Sequence, residues 1–592
     1  MKKGKNFVLI ENKNQALEYL KNKEKFSEAI PITFSFEPEK ILKEKGIYFK
    51  TEDEYDIPSD AKGSYDLILK NSKKILENLK IEYRGIELFR LYYMDLFDFL
   101  GISYRYLTIL KRFSKVEEIE EIFIFNDVSN NSIKNEMCSR IARNFFKEKA
   151  KIINFSREEM ENSENSFFIR QVGKIQNIFA KIDLFFSKKK NKIFLCGHQA
   201  FYESLIKELN KNKKNEIFRC HDHLQKSFII DKKIFFSYEF EKKKTKHQVK
   251  LKKEIEDFLD DENKFSFFKK LDFEEEILFV LKNWIEHQVK YEFMKFSGII
   301  NKMFELMKKK KINLICVYAD TTTFEKALVQ VGKLFGISSV VLLHGLLGKG
   351  VQPAFFPMSA DYILAFGQGT KERLINLEVP EEKIIITGSP QYDKFAKKEK
   401  NNLNKKISFI MSCPDSHYLF PEIHITKKRQ KEVLRMLFKT MKKFPDYKLS
   451  IKGRKDWDMN ELVKIIAREE NFENFEFEIN PSPIEFLKKA KIIIVNVTTM
   501  VLDGLLLEKP AISIWFKDIE KFTGYKDSKA IATVHTQKEL EKAIREKIKE
   551  ETEKDKKFRK EWLEYELFKL DGKSGKRSAN FIEKIMLNKN AK

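Results

Sequence analysis

Glycine and proline are scarce, 21 and 13 in 592 residues. That excludes collagen-like and proline-rich architectures and disfavours an all-β protein built on tight turns. Cysteine is scarcer still. Cys138, Cys196, Cys220, Cys316 and Cys413 stand singly with no CxxC pair, which excludes a disulfide framework or zinc ribbon and suits a reducing compartment. Long apolar runs are missing too. No stretch reaches the roughly 18 uninterrupted apolar residues of a membrane span. The longest candidate, Ile492 to Leu507, is broken by Asn496, Thr498, Thr499 and Asp503. Near the start, the apolar stretch Phe7 to Ile10 stops at Glu11, too short for the core of an export signal. A cytoplasmic protein is expected, at most peripheral on the inner face of the plasma membrane.

What is present supports real cores: hydrophobic residues make up 42% and aromatics 13%. The length corresponds to about four ordinary folding units or two large ones. Lysine and arginine exceed the acids, 113 against 89, for a net charge of +24. Such a charge can mark a partner such as nucleic acid or an anionic membrane surface. It is also what compositional drift leaves in a chain rich in Lys, Asn, Phe and Ile, and here Lys is interspersed with Glu almost throughout. The densest exception is Lys242 to Lys253, where seven of twelve residues are Lys. No RRM, KH, zinc-finger or basic-zipper signature accompanies it, so nucleic acid is disfavoured and an anionic lipid surface or substrate stays open.

From Leu314 to Thr387, short apolar strands alternate with amphipathic helices: Leu314 to Tyr318, Val340 to Leu343, Tyr362 to Ala365 and Ile384 to Thr387. A helix through Phe324, Leu328 and Leu334 and another near Thr370 to Leu377 lie between them. This alternation means a parallel sheet covered on both faces. After a polar linker, Lys397 to Lys406, the pattern restarts. Strands Ile407 to Met411, Lys448 to Ile451, Phe475 to Ile479, Ile492 to Val495, Ala511 to Trp515 and Ala530 to Val534 alternate with helices. In the first 310 residues only Phe7 to Ile10, Ile122 to Asn126, Ile152 to Phe155 and Ile193 to Cys196 read as strands. The expected class is α/β, with two facing Rossmann-like βα domains. The first spans 1–396 and is enlarged by helical insertions, notably at about 240–310; the second spans 407–550, and 551–592 is a charged helical tail.

Three groups of residues could carry chemistry. His344-Gly345 follows a strand at its carboxyl end, where open α/β sheets bind ligands. An imidazole there could deprotonate an acceptor hydroxyl; the plainer reading is a surface loop histidine. Asn496-Val497-Thr498-Thr499 lies between a buried strand and a helix, with Asp503 four residues past Thr499. Helix N–H groups and paired hydroxyls suit a phosphate, and Asp503 could accept from ribose hydroxyls; the plainer reading is helix capping. Lys452-Gly453-Arg454 ends another strand, where two cations could clamp phosphate oxygens, or simply form a solvated turn. His417, in the loop after the restarted domain's first strand, is a reserve base. Gly572-Lys573-Ser574 mimics the end of a P-loop, but Leu567 stands where the earlier glycine belongs.

Taken together these residues resemble two related groups. His344-Gly345, Pro357, Ala360-Asp361-Tyr362, Gly367 and Gly388-Ser389-Pro390-Gln391-Tyr392-Asp393 are similar to the end of the first domain in GT-B-fold surface-polysaccharide glycosyltransferases. CDP-glycerol glycerophosphotransferases of teichoic acid synthesis share the pattern. Thr498-Thr499, Asp503 and Lys509-Pro510 resemble the second-domain helix of both groups, and Asp571-Gly572-Lys573-Ser574 with Arg577 their ending. The resemblance covers roughly residues 312–585. Where these groups, and bacterial sialyl- and polysialyltransferases, carry His-Pro, this chain has Lys452-Gly453-Arg454. UDP-N-acetylglucosamine 2-epimerases share the architecture, but their H-x-E-A-G stretch is not matched at His344. The resemblance implies a metal-independent transferase without a cofactor. It would move a sugar from a nucleotide-sugar donor to a surface-polysaccharide or glycolipid acceptor, saccharide or lipid-linked; transfer from a CDP-polyol is the alternative. His344 or His417 would be the base, and Lys452, Arg454, Asn496, Thr498, Thr499 and Asp503 the donor site. Gly345, Gly388, Ser389 and Pro390 would line the cleft. A non-catalytic protein that binds polyanions through its basic surface is the reading from another class.

Overall fold

The structure is a computed structural model. It describes residues 4–57, 63–128, 136–156, 178, 182, 188, 190–197, 201–221, 233–235, 245–309, 312–347, 358–396, 405–411, 426–453, 460–496, 498–517 and 528–590. Three parallel sheets follow one another along the chain, with a two-stranded hairpin between strands of the first.

The first sheet contains β1 (Lys5–Ile10), β2 (Ala29–Thr33), β3 (Lys50–Thr51), β6 (Ile119–Asp127) and β7 (Ala150–Phe155), in the order β3-β2-β1-β6-β7. The hairpin is β4 (Glu82–Tyr83) and β5 (Ile86–Glu87). The second sheet holds β8 (Asn191–Cys196), β9 (Asn215–His221), β10 (Lys233–Phe235), β11 (Leu314–Val317), β12 (Ser338–Leu342), β13 (Tyr362–Ala365) and β14 (Ile384–Ile386). Its order is β10-β9-β8-β11-β12-β13-β14. The third is β15 (Lys406–Ile410), β16 (Lys448–Gly453), β17 (Phe475–Ile479), β18 (Ile492–Val495), β19 (Ala511–Ile514) and β20 (Ile531–Val534), ordered β17-β16-β15-β18-β19-β20.

All three sheets start in the middle, grow outward by two strands, and then return to the other side of the first. That is the Rossmann pattern, and each reversal leaves a crevice at the strands' carboxyl ends: β1/β6, β8/β11 and β15/β18. Helices on both faces explain why the inner strands are continuous apolar runs. All four side chains of β18 are fully buried, and each such aliphatic contributes about 1.5–3 kcal/mol.

The chain therefore carries a third sheet that its sequence pattern hides. Of the four strands expected in the first 310 residues, three belong to the first sheet and Ile193–Cys196 to the second. β2 escapes notice because it contains Pro31, a residue that argues against an inner strand. The two-residue β3 pairs only with Ile32 and Thr33, so Pro31 borders β1 beyond that pairing. The expected helical stretch is present as Lys246–Asp260, Glu275–His287 and Phe293–Lys309. With Ser64–Asn78 and Tyr93–Val116 these helices share one apolar core with the first and second sheets, joining Phe7, Phe113 and Trp284 to Ile315 and Val331.

The segment expected as a charged tail has a packing role. Helix Ser574–Asn590 lays Ala579, Ile582 and Met586 against Ile193, Leu314 and Val340 of the second sheet. Among the described residues no helix is long and apolar enough to cross a membrane.

Candidate active-site cleft

One wall belongs to the second unit. β12 is buried on both faces, and the chain emerges at its carboxyl edge as the exposed His344. The neighbouring β11 is followed by Tyr318, whose carbonyl lies 3.3 Å from His344 Nδ1. A carbonyl can only accept, so Nδ1 donates in that bond, and in the neutral ring the lone pair then lies on Nε2. The ring rests against Tyr318 at 4.7 Å and Phe201 at 6.0 Å, and Gln391 Nε2 donates to the His344 carbonyl at 3.3 Å. Beneath this shelf the buried Glu325 accepts from Tyr318 N at 3.2 Å. Burial pushes the Glu325 carboxyl up to about 7.

The facing wall is the β15/β18 crevice of the third unit. Ile410, at the end of β15, pairs with Lys452 on one side and Val495 on the other. Lys452 and Asn496 thus flank the point where strand order reverses. Both are buried, and Asn496 Nδ2 donates to Gln430 Oε1 at 3.2 Å. Thr498 Oγ1 accepts from Met500 N at 3.3 Å, so this hydroxyl does cap the helix Met500–Leu506. Thr499 makes no such cap bond. Asp503, one turn on, interacts electrostatically with Lys394 and Tyr392 of the second unit; burial, opposed by Lys394, lifts its carboxyl to about 6. Lys509 serves structure: its Nζ donates to the Lys488 carbonyl at 3.0 Å, and burial lowers it to about 8.

The two walls touch. A Cβ on Gly345 would stand 3.2 Å from Thr499 Cγ2, so the loop that carries His344 runs directly against the threonine pair. A side chain at Gly345 would need the Thr499 methyl to give way by a few tenths of an ångström.

Gly388 and Ser389 lie elsewhere than expected. Gly388 has φ +81°, and a Cβ there would fall 2.4 Å from Ser574 Oγ and 3.0 Å from Arg577 Nη2. Asp393 accepts from Ser574 N, Gly575 N and Ser204 Oγ at 2.9, 2.7 and 2.5 Å. Arg577 Nε donates to the Thr387 carbonyl at 2.7 Å and pairs with Asp571 at 2.9 Å. The two motifs, Gly388 to Asp393 and Asp571 to Arg577, therefore interlock. Their glycine admits the C-terminal helix rather than a ligand, and Ser389 is buried in a small cavity with Tyr392, Leu506 and Ser574. Pro390 is half-buried and opens the turn that brings Gln391 to His344.

His417 and Arg454 lie outside the described residues. The structure sets Gly345, beside His344, against Thr499, and puts Lys452 and Asn496 at the carboxyl ends of the strands that flank β15. Sequence reasoning missed Tyr318, Gln391 and Gln430. Gln391 was legible, since it sits inside a quoted motif. Gln430 has no local signal: it reaches Asn496 only through the packing of helix Lys427–Met441.

No family model and no curated protein matches the chain. It is similar in fold to solved structures. UDP-GlcNAc 2-epimerase from Neisseria meningitidis, bound to UDP-GlcNAc, is 13% identical with a TM-score of 0.39; the match covers 67% of this chain and 100% of that one. For a glycosyltransferase from Rickettsia africae the values are 12%, 0.42, 67% and 99%. For the wall teichoic acid polymerase TagF they are 10%, 0.38, 72% and 99%. The parallel-sheet, Rossmann-like character of the three units is read from their own strand orders.

Proposed function

We propose that the cleft between the second and third units transfers a sugar from a nucleotide-sugar donor to the hydroxyl of a saccharide or lipid-linked acceptor. The observation that carries this reading is the approach of Gly345, next to His344, to Thr499; it supports a base on one wall and a phosphate-compatible edge on the other. Transfer breaks the bond from the anomeric carbon to the donor phosphate and forms one to the acceptor oxygen. The acceptor's proton goes to His344 Nε2, and the nucleotide leaves with the phosphate charge. Lys452, Thr499 and the amide of Asn496, with Arg454, would stabilise that charge as it develops. The Nδ1 bond to Tyr318 holds the imidazole in the tautomer that can accept a proton.

The test is a donor panel: release of UDP, GDP or CMP from nucleotide sugars, beside release of CMP from CDP-glycerol. Sugar-dependent release supports the proposal. Release from CDP-glycerol alone makes this a polyol-phosphate transferase that uses the same base. No turnover, with salt-sensitive binding to anionic polymer or lipid, returns the chain to the non-catalytic reading.

A further inference from the structure

The first unit has the same strand order as the other two, yet its crevice is filled by its own side chains. Glu11, the residue after β1, accepts from Cys138 N and Ser139 N, both at 3.0 Å, and from Ser139 Oγ at 3.0 Å. These N–H groups open the helix Met137–Phe146, at the end that attracts anions in such folds. Beside it Glu136 accepts from Asp127 N and from Gln15 Nε2, each at 3.1 Å. A carboxyl group of the chain thus stands where a bound phosphate would. The role of this unit must lie in its other surfaces.

Its outer edge meets the third unit. Helix Phe36–Glu44 sends Phe36 into the apolar core of the third sheet. Lys427, the first residue of helix Lys427–Met441, pairs with Glu39 and, at 3.3 Å, with Glu52. One turn on, Lys431 pairs with Asp53 at 2.5 Å and Glu39 at 3.4 Å. Lys428 Nζ donates to the Asp56 carbonyl at 3.0 Å. Behind these acids the buried Arg105 pairs with Glu52 at 3.2 Å and Asp56 at 3.1 Å. Residues at i, i+3 and i+4 share a helix face, so Gln430 and Lys431 both lie beside Lys427. Gln430 is fully buried, its Oε1 accepts from Asn496, and its Nε2 has no hydrogen-bond partner among the described residues.

We infer that the first unit is a clamp on helix Lys427–Met441, with Glu39, Glu52 and Asp53 as positioning residues. By holding Lys427 and Lys431 they fix Gln430, and through it Asn496, at the donor crevice. This rests on the donor-site reading above. The clamp selects one rotation and height for the helix, because a charge left unpaired in this buried setting is far costlier than a paired one. Domains joined by a polar linker otherwise move relative to each other.

Binding of UDP and CDP to the full chain is measured by calorimetry for wild type, Glu39→Gln, Gln430→Ala and the double variant. Glu39→Gln is expected to weaken nucleotide binding about tenfold, raising donor KM while leaving kcat unchanged. In the Gln430→Ala background Glu39→Gln should add nothing, because both act through one contact. Equal affinity in wild type and Glu39→Gln, or fully additive losses, overturns the clamp. Should Glu39→Gln fail to fold, Lys431→Gln, at the more exposed end of the cluster, takes its place. A wild type that binds neither UDP nor CDP, and neither GDP nor CMP, sinks the donor-site reading. The clamp is then read from amide exchange: Glu39→Gln must lower protection of Lys427–Met441 but not of helix Gln537–Lys547 in the same unit. Unchanged protection of Lys427–Met441 overturns it.

Discussion

The first and third units share one strand order and differ in what stands at the crevice. In the first, β1 hands over to Glu11, and the helix N–H groups across the crevice are already taken by its carboxyl. In the third, Lys452 near the end of β16 and Asn496 just after β18 stand beside β15, a cation and an amide. Topology alone would assign both a ligand. On the proposed reading, function follows the residues at the strand ends, and the Glu11 carboxyl group makes the first crevice a structural joint.

The sharpest way to break this contrast is to disable the wall facing the third crevice. His344→Ala is expected to lower turnover by about 10²–10⁴ with nucleotide affinity little changed. A normal rate in this variant would move the base elsewhere, and His417→Ala is the parallel test.

Next comes the plug itself. Burial raises the Glu11 carboxyl to about 7 from an ordinary value of 4.5. The folded chain therefore holds a proton that the unfolded chain has lost, and stability falls as pH rises from about 4.5 to about 7, by about 3 kcal/mol for this group. Glu11→Ala should flatten its share of that decline in chemical unfolding. It should also cost about 1–3 kcal/mol in acid, where the N–H groups lose their acceptor. Nucleotide affinity should stay within about twofold.

Lys452→Ala is the reciprocal experiment. It should weaken nucleotide binding about tenfold, and a loss confined to stability would make the two crevices alike. The smallest effect concerns Thr498, whose hydroxyl caps Met500 N. Thr498→Ala should cost about 1 kcal/mol of stability. Thr499→Ala, which removes no cap bond, should act on nucleotide affinity instead.

Much of the third unit was legible in the sequence. Phe475–Ile479 and Ile492–Val495 emerge with the bounds that their residues suggest, the first by its Phe-Glu alternation on a half-buried edge and the second by its unbroken apolar run. β2, with its proline, and β3, with two residues, exist only through their neighbours. The same division holds at the site. His344 and the threonine pair follow from strand-end logic. Gly388 and Ser389 were misplaced because a glycine with positive φ admits any close approach, and here the approaching group is Ser574 from the far end of the chain. Gln430 and the Glu39 to Lys431 cluster are tertiary facts, invisible to any local pattern.

The contrast between the crevices is tested most directly by photolabelling the full chain with an azido-UDP sugar and mapping the labelled peptides by mass spectrometry. Labelling should fall on peptides containing Lys452 and Thr498-Thr499, with competition by unlabelled nucleotide. Competed labelling on the peptides of Glu11 to Gln15 or Glu136 to Ser139 would contradict it.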